Sequence, residues 1–426
     1  MLMNLRERDR AVNWHPYTQM KNAGDAIPIV KGKGIYLFDD NGNQYIDAVS
    51  SWWVTLHGHA HPYIAQKVSE QLNILEQVIF AGFTHEPAIK LSENLLNLLP
   101  ENQQKVFYSD NGSTAVEVAL KMCIQYSFNK GLKKSKILAF KNAYHGDTFG
   151  AMSVSGRSIW TIPFAEMLFE VIFIDTPTTE NLENLKSQIK ACHQELICFI
   201  CEPLVQGAAG MLMHRAEDLD QLMQYCRAQK ILIIEDEVFT GFGRTGKLFA
   251  ADHLSVQPDI MCFSKGLTGG TIPMGITTCS NEIYNAFLSD DQYKTLFHGH
   301  SFTANPLACT AALASMELLL NEETQSNIQR ISAQHFQFST VLKQHPQIEN
   351  IRQTGTILAW EIKNDQQTSY FNEIGKKLYH EFLLRGIIMR PLGNVMYLVP
   401  PYCITEAELD FIYHNILDVL NSFNTA

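Results

Sequence analysis

Charge is what this sequence has least of. Asp, Glu, Lys and Arg together make up 18% of 426 residues, against about 25% in an average soluble domain. The basic side is the poorer one, with 33 Lys+Arg against 44 Asp+Glu and a net charge of −11. No basic stripe compensates, since the densest patch is residues 130–136 and its longest run is Lys133-Lys134. Nucleic-acid binding, which needs counter-charge for phosphates, is therefore not expected. Long apolar runs are missing too: no stretch of about 18 uncharged apolar residues exists, so no membrane span is expected. Residues 1–10 are charged rather than apolar, which predicts no secretory leader and a cytoplasmic chain. Nine cysteines, an odd and scattered set, fit reduced thiols. Cys198-x-x-Cys201 lies inside Leu196-Ile-Cys-Phe-Ile-Cys. That run reads as a buried strand, where positions three apart face opposite sides. No second pair completes a zinc site, so no metal site is assigned.

What is present is apolar and patterned. Hydrophobic residues reach 46%, which rules out a disordered chain. The length suggests two to three domains, or one large one with an appendage. Residues 34–47 alternate apolar and polar about Asp40-Asn-Gly42, the pattern of a β-hairpin. From about residue 60, helices alternate with short apolar strands. These are Lys105-Val-Phe-Tyr-Ser, Ile137-Leu-Ala-Phe, Val171-Ile-Phe-Ile, Leu196-Ile-Cys-Phe-Ile, Ile231-Leu-Ile-Ile and Asp259-Ile-Met-Cys-Phe. Unbroken apolar strands are buried on both faces, which predicts an α/β domain with a largely parallel sheet. After about residue 325 come a long helix, a strand at 355–362, a helix at 370–385, strands near 387–399 and a helix at 405–422. These predict a smaller α+β domain packed with the N-terminal segment. The expected division is 1–55 (N-terminal part of the small domain), 56–325 (large domain) and 326–426 (C-terminal small domain).

Ligands of open α/β sheets bind beyond the carboxyl ends of the strands. The residues that follow each strand are therefore the candidates. Ser109-Asp-Asn-Gly112-Ser113-Thr114 precedes a helix, whose free N–H groups can hold an anion. Thr114-x-x-Glu117 also fits a capping box, which explains the same residues without a ligand. Glu235-Asp236-Glu237 ends a buried strand, a costly place for acids unless they are paired or functional. Gly241-Phe-Gly243-Arg-Thr-Gly246 matches a dinucleotide fingerprint in form, but it does not directly follow the strand and no convincing helix follows it. Lys265 stands between an apolar strand and Gly266-Leu-Thr-Gly269-Gly270. A desolvated lysine there loses its charge and can attack a carbonyl. His57-x-His59-x-His61 reads as a structural turn into a helix beginning near Pro62, and His298-Gly-His300 is read the same way.

Asp236, Lys265 and Gly112-Ser113, in this order and spacing, resemble the fold-type I pyridoxal-phosphate aminotransferases, specifically class III. The supporting blocks are Tyr144-His145-Gly146, Glu202-Pro203, Asp236-Glu237-Val238, Gly241-Phe-Gly-Arg244-Thr-Gly, Ser264-Lys265-Gly266 and Asn305-Pro306-Leu307-Ala308. Within the class, Trp14-His-Pro-Tyr17-Thr-Gln-Met, Ser50-Ser-Trp52-Trp53, Leu56-His-Gly-His-Ala-His-Pro and Arg390-Pro-Leu-Gly-Asn resemble the subgroup of biotin synthesis. The resemblance implies a large domain with a mostly parallel seven-stranded sheet plus a smaller α+β domain, and pyridoxal 5'-phosphate as cofactor. It implies that Lys265 holds the cofactor covalently and moves protons. It further implies that Asp236 pairs with the ring nitrogen, that Tyr144 and Val238 flank the ring, and that Gly112 and Ser113 hold the phosphate. His300 and Ser301 would reach the phosphate of the partner subunit in a homodimer. The subgroup commonly has Pro-Thr at those two positions. Tyr17, Trp52, Tyr144, Gly299, Arg390 and Tyr397 would meet substrate, with Tyr17 also catalytic and Arg390 facing a carboxylate. Arg244 belongs to the pattern without a clear role. The implied reaction moves an amine from S-adenosylmethionine to 8-amino-7-oxononanoate in two half-steps.

Other class III transaminases, with lysine, ornithine or another ω-amino donor, share the cofactor blocks. Only the Tyr17, Trp52 and Arg390 segments favour the biotin subgroup over them. A class III aminomutase would need no second amino donor. A non-enzymatic cofactor-binding protein is disfavoured by the intact Lys265 and Asp236.

Overall fold

Apolar strands alternating with helices assemble into a central sheet. The computed structural model describes residues 3–363 and 372–422. Its main sheet runs in the order Gln103–Ser109, Gly275–Ser280, Ile260–Phe263, Leu232–Asp236, Leu196–Cys201, Lys136–Phe140 and Val171–Ile174. Neighbours pair in parallel, except that Gly275–Ser280 runs antiparallel to both of its partners. The expected α/β architecture with a mostly parallel seven-stranded sheet is therefore present. Six of the strands are the apolar runs read from the sequence. Gly275–Ser280 is the one without an apolar signature, and its buried threonines are satisfied instead. Thr277 Oγ1 donates to Ala115 O at 2.8 Å and Thr278 Oγ1 to Gln103 Oε1 at 2.7 Å, which removes the penalty of burying a hydroxyl.

The helix Gly112–Asn129 covers one face of this sheet with Ala115, Val118, Ala119, Met122 and Cys123. Leu182–Cys192 and Ala216–Ala228 cover the other. Strand alternation separates Cys198 from Cys201: both are fully buried, but in the clusters on opposite faces.

The two ends of the described chain meet in a smaller sheet. Ile29–Lys33, Tyr36–Asp39 and Gln44–Asp47 form an antiparallel meander, and Ile387–Ile388 adds in parallel to Gln44–Asp47. Ile348–Thr354, Ile357–Ile362 and Val395–Leu398 make a three-stranded antiparallel sheet. Ile348–Thr354 is largely polar and partly exposed, so it carries no strand signal of its own. The helix expected over 370–385 spans Glu373–Leu384, and residues 370 and 371 lie outside the described residues. The last helix runs Glu406–Ser422. One hydrophobic cluster joins Phe263 of the main sheet to Ile46, Trp360 and Ile387 of the smaller ones.

Gly241-Phe-Gly-Arg-Thr-Gly246 lies along that junction. A side chain on Gly355 would strike Gly246 N at 2.2 Å, and Thr356 N donates to Arg244 O at 3.0 Å. The glycines of this segment serve close packing between the sheets. Among the described residues, no helix is long and apolar enough to cross a membrane.

Candidate active site

The strands Gln103–Ser109, Leu232–Asp236 and Ile260–Phe263 point their carboxyl ends to one place. A cavity of about 490 Å³ opens there, lined by Gly112, Ser113, Tyr144, Asp236, Val238 and Lys265 among others. Six of the residues assigned from sequence thus come together from segments far apart in the chain.

Strand alternation sends Asp236 into the cavity and Glu235 and Glu237 away from it. Asp236 is only 4% exposed. Its Oδ1 accepts the Val238 N–H at 3.0 Å, and its Oδ2 accepts from His145 Nδ1 at 2.6 Å. Lys265 follows the next strand, at φ 45°, a left-handed conformation rare outside glycine. Its Nζ sits 4.5 Å from the Trp53 ring centroid and 5.4 Å from that of Phe239. Burial, helped by the Arg244 charge, pushes its ammonium down to about 8, against the upward pull of Asp236 and Glu202. At pH 7 roughly a tenth of such an amine is neutral, far more than for an exposed lysine. Glu202 lines the same cavity, accepting from Tyr144 N at 2.9 Å and Gly207 N at 3.0 Å. Burial pushes its carboxyl up to about 7.

Gly112 and Ser113 open a helix whose start lines the same cavity. Asn111, not Thr114, is the cap, and its side chain accepts the Thr114 N–H at 2.9 Å. The capping box expected from Thr114 to Glu117 is therefore one turn out of place. Glu117 instead accepts from Thr148 Oγ1, Gly150 N and Ala151 N. The N–H groups of Gly112 and Ser113 have no acceptor within their own helix. Ser113 Oγ accepts from Thr148 N at 3.0 Å and lies 2.7 Å from Thr148 Oγ1. A methyl on Gly112 would stand 2.7 Å from a Val238 methyl, so this glycine fits the helix start against the cavity wall.

Aromatic rings gather beyond this cavity, whose lining includes Tyr144 but not Tyr17, Trp52, Trp160 or Arg390. Tyr17 Oη donates to Asp147 and lies 3.2 Å from Tyr144 Oη. Its ring meets Trp52 edge-on at 5.6 Å and Trp160 at 6.1 Å. The Arg390 guanidinium lies over the Trp52 ring at 4.4 Å. Tyr397 is only 2% exposed and stands behind Trp53, whose Nε1 donates to its hydroxyl at 3.3 Å. It supports the wall from behind rather than forming its surface. Gly299, His300 and Ser301 are not among the residues lining the cavity. They lie on a loop tied to residue 77, where Gln77 Nε2 donates to Ser301 O at 2.7 Å.

Three participants carried no assigned role in the sequence. His145 and Glu202 stand in family blocks but reveal their partners only in three dimensions. Trp160 stands in no motif at all. The three histidines of His57-x-His59-x-His61 do not meet at one point: the His57 and His61 rings lie edge-on at 6.1 Å, His57 also pairing with Ser315 Oγ at 3.1 Å, while His59 turns to Asp47 at 2.9 Å. Arg244 is 1% exposed, donates to Pro400 O at 2.8 Å and lies over Tyr402 at 5.0 Å. Those contacts hold the chain around residue 400 against the Gly241–Gly246 segment.

An anion cradle, a buried carboxylate and a lysine with lowered basicity share one cavity, and the buried His145 Nε2 has no partner among the described residues. This set suits a cofactor with a phosphate, a basic ring nitrogen and a carbonyl. Residues 18–420 match the family "Aminotransferase class-III", and the chain belongs to that family. Its members depend on pyridoxal 5'-phosphate, and the residues present fit that group.

Among curated relatives, the adenosylmethionine-8-amino-7-oxononanoate aminotransferase of Synechococcus elongatus is 48% identical over 96% of this chain and 98% of its own length. The Staphylococcus aureus protein of the same name is 38% identical over 97% and 98%. Among solved structures, that of the same-named protein from Methanocaldococcus jannaschii superposes with TM-score 0.95 at 36% identity, covering 99% of each chain. An omega transaminase from Pseudomonas jessenii in complex with PMP gives 0.92 at 26% identity, covering 99% of this chain and 98% of its own.

Proposed function

We propose that the chain transfers the amino group of S-adenosylmethionine to the ketone of 8-amino-7-oxononanoate, giving 7,8-diaminononanoate for biotin synthesis. The names of relatives covering nearly its whole length support this. So does one observation on the wall: adjacent tryptophans each carry a cation, Lys265 over Trp53 and Arg390 over Trp52. One cation meets the reacting carbon and the other a carboxylate, with apolar surface between for an aliphatic chain. The same rings suit a sulfonium donor by cation–π contact.

Pyridoxal 5'-phosphate, when bound, supplies a carbonyl for the amine and an electron-poor ring. In this reading Lys265 would attach it, Gly112 and Ser113 would hold its phosphate and Asp236 its ring nitrogen, and Tyr144 and Val238 would supply the side walls. Once the donor's amine has displaced it, Lys265 Nζ is a free amine that would take the proton from the donor's Cα and return one on the acceptor side. His145 keeps the Asp236 carboxylate aimed into the cavity. Tyr17, fixed by Asp147 and Tyr144, closes the substrate side and excludes water.

The reading includes a homodimer in which Gly299, His300 and Ser301 serve the other subunit's cavity. The loop that bears them is flanked by the exposed side chains of Ile79, Phe83, Phe297 and Phe302, an apolar surface of the kind that subunit contacts cover. It also includes a cytoplasmic setting and the three-part division at residues 55 and 325.

The test follows the cofactor's absorbance. S-adenosylmethionine should convert purified holoenzyme to its amine-loaded form, and 8-amino-7-oxononanoate should reverse the change. Conversion by lysine or an ω-amino acid, but not by S-adenosylmethionine, overturns the donor assignment.

A further inference from the structure

Asp47 ends the strand Gln44–Asp47 and is fully buried. Its carboxylate makes four hydrogen bonds. Oδ1 accepts the Val49 N–H at 3.2 Å, and Oδ2 accepts the Ser51 N–H at 2.6 Å, the Ser51 hydroxyl at 3.1 Å and His59 Nε2 at 2.9 Å. The turn it grips is strained: Ser50, Ser51 and Trp53 have φ of 51°, 61° and 66°. None of them is glycine, and such conformations persist only where the surroundings impose them. Ser50 adds a bond of its own, from Oγ to Val399 O at 2.7 Å.

The strain has a visible product. Adjacent side chains diverge by about 100° on a helix and by about 180° on a strand. Here Trp53 lines the cavity under Lys265, while the adjacent Trp52 lies under Arg390. Asp47 also pairs with Ile388, two residues before Arg390. The residue that holds the Trp52 turn is thus in register with the strand that delivers the guanidinium to it.

We infer that Asp47 is a positioning residue for acceptor recognition, setting the Trp52 indole so that Arg390 is held over it to receive a carboxylate. The inference rests on the proposed function for the identity of the acceptor. Asp47→Asn keeps the shape and removes one carboxylate acceptor. In the holoenzyme it should raise KM for 8-amino-7-oxononanoate about tenfold, leave kcat within about threefold and leave the cofactor spectrum unchanged. In a Trp52→Ala background the same change should add less than twofold, because the residue it acts through is gone. Unchanged KM, a fall confined to kcat, or full additivity with Trp52→Ala overturns the inference. Should Asp47→Asn not fold, Ser51→Ala, which deletes one donor to Asp47, should raise KM severalfold, and an unchanged KM there counts against the inference equally. If unaltered enzyme fails to use this substrate pair, the function reading is at fault. Asp47 is then judged by acrylamide quenching of tryptophan fluorescence. Asp47→Asn should expose an indole in the parent and not in Trp52→Phe, and equal exposure in both overturns it.

Discussion

Glu235, Asp236 and Glu237 show how far one residue's environment differs from the next. Asp236 faces the cavity and is held by His145. Glu237 is buried but accepts from Thr240 Oγ1, Ala250 N and Ala251 N, and burial still pushes its carboxyl up to about 7. Glu235 is fully buried, and neither of its oxygens has a hydrogen-bond partner among the described residues. Burial drives its carboxyl well above the ordinary 4.5, with the charge of Glu237 adding to the effect. A carboxyl raised on folding favours the folded state most below pH 4.5. Its contribution is lost as pH rises, because the unfolded chain ionises first. Glu235→Met should therefore stabilise the protein by about 1–3 kcal/mol near pH 7. The gain should shrink toward pH 4.5, as read from denaturation midpoints across that range. A gain independent of pH would mean that packing alone is responsible. The triplet could be read from the sequence as unusual, and the family resemblance pointed to Asp236 within it. The difference between its outer two acids could not be read, since it depends on Ala250 and Ala251, distant in the chain.

At the scale of elements, the site is a set of strand ends plus one helix start. That much was legible, because Ser109-Asp-Asn-Gly-Ser, Glu-Asp-Glu and Ser-Lys-Gly each follow an apolar run. The fit of Gly112 against Val238 was not, since it joins two segments with no common pattern. Gly112→Ala places a methyl 2.7 Å from Val238, closer than packed carbons come. Overpacking of this kind costs about 1–3 kcal/mol, so cofactor affinity should fall about tenfold or more, measured by equilibrium dialysis of the cofactor. Trimming the wall by Val238→Ala should restore part of that loss, and no rescue would place the clash elsewhere. Among the strands that escaped the sequence, two are polar for reasons outside them. Thr277 and Thr278 bond to neighbouring segments, and Ile348–Thr354 lies partly in the open.

At the scale of the whole molecule, the proposed homodimer would account for the shortage of charge, through surface hidden between subunits. If Ser301 serves the partner's cavity, a Lys265→Ala chain and a Ser301→Asp chain, each inactive alone, should complement one another. Co-refolded in equal amounts, they form hybrids with one intact site, and activity should reach about a quarter of the unaltered level. No recovery, in hybrids isolated by two affinity tags, would place Ser301 in its own subunit's site. The small sheet built from both ends of the chain carries a consequence for synthesis. Ile46 leaves the ribosome long before Ile387, its partner in the sheet. At about 5–20 residues per second the wait is tens of seconds. Until then Gln44–Asp47 has an open edge, Asp47 lacks the strand beside it, and the Trp52 turn has no Val399 to hold it. The nascent chain can complete its large sheet first, but its substrate wall closes only when translation is nearly over.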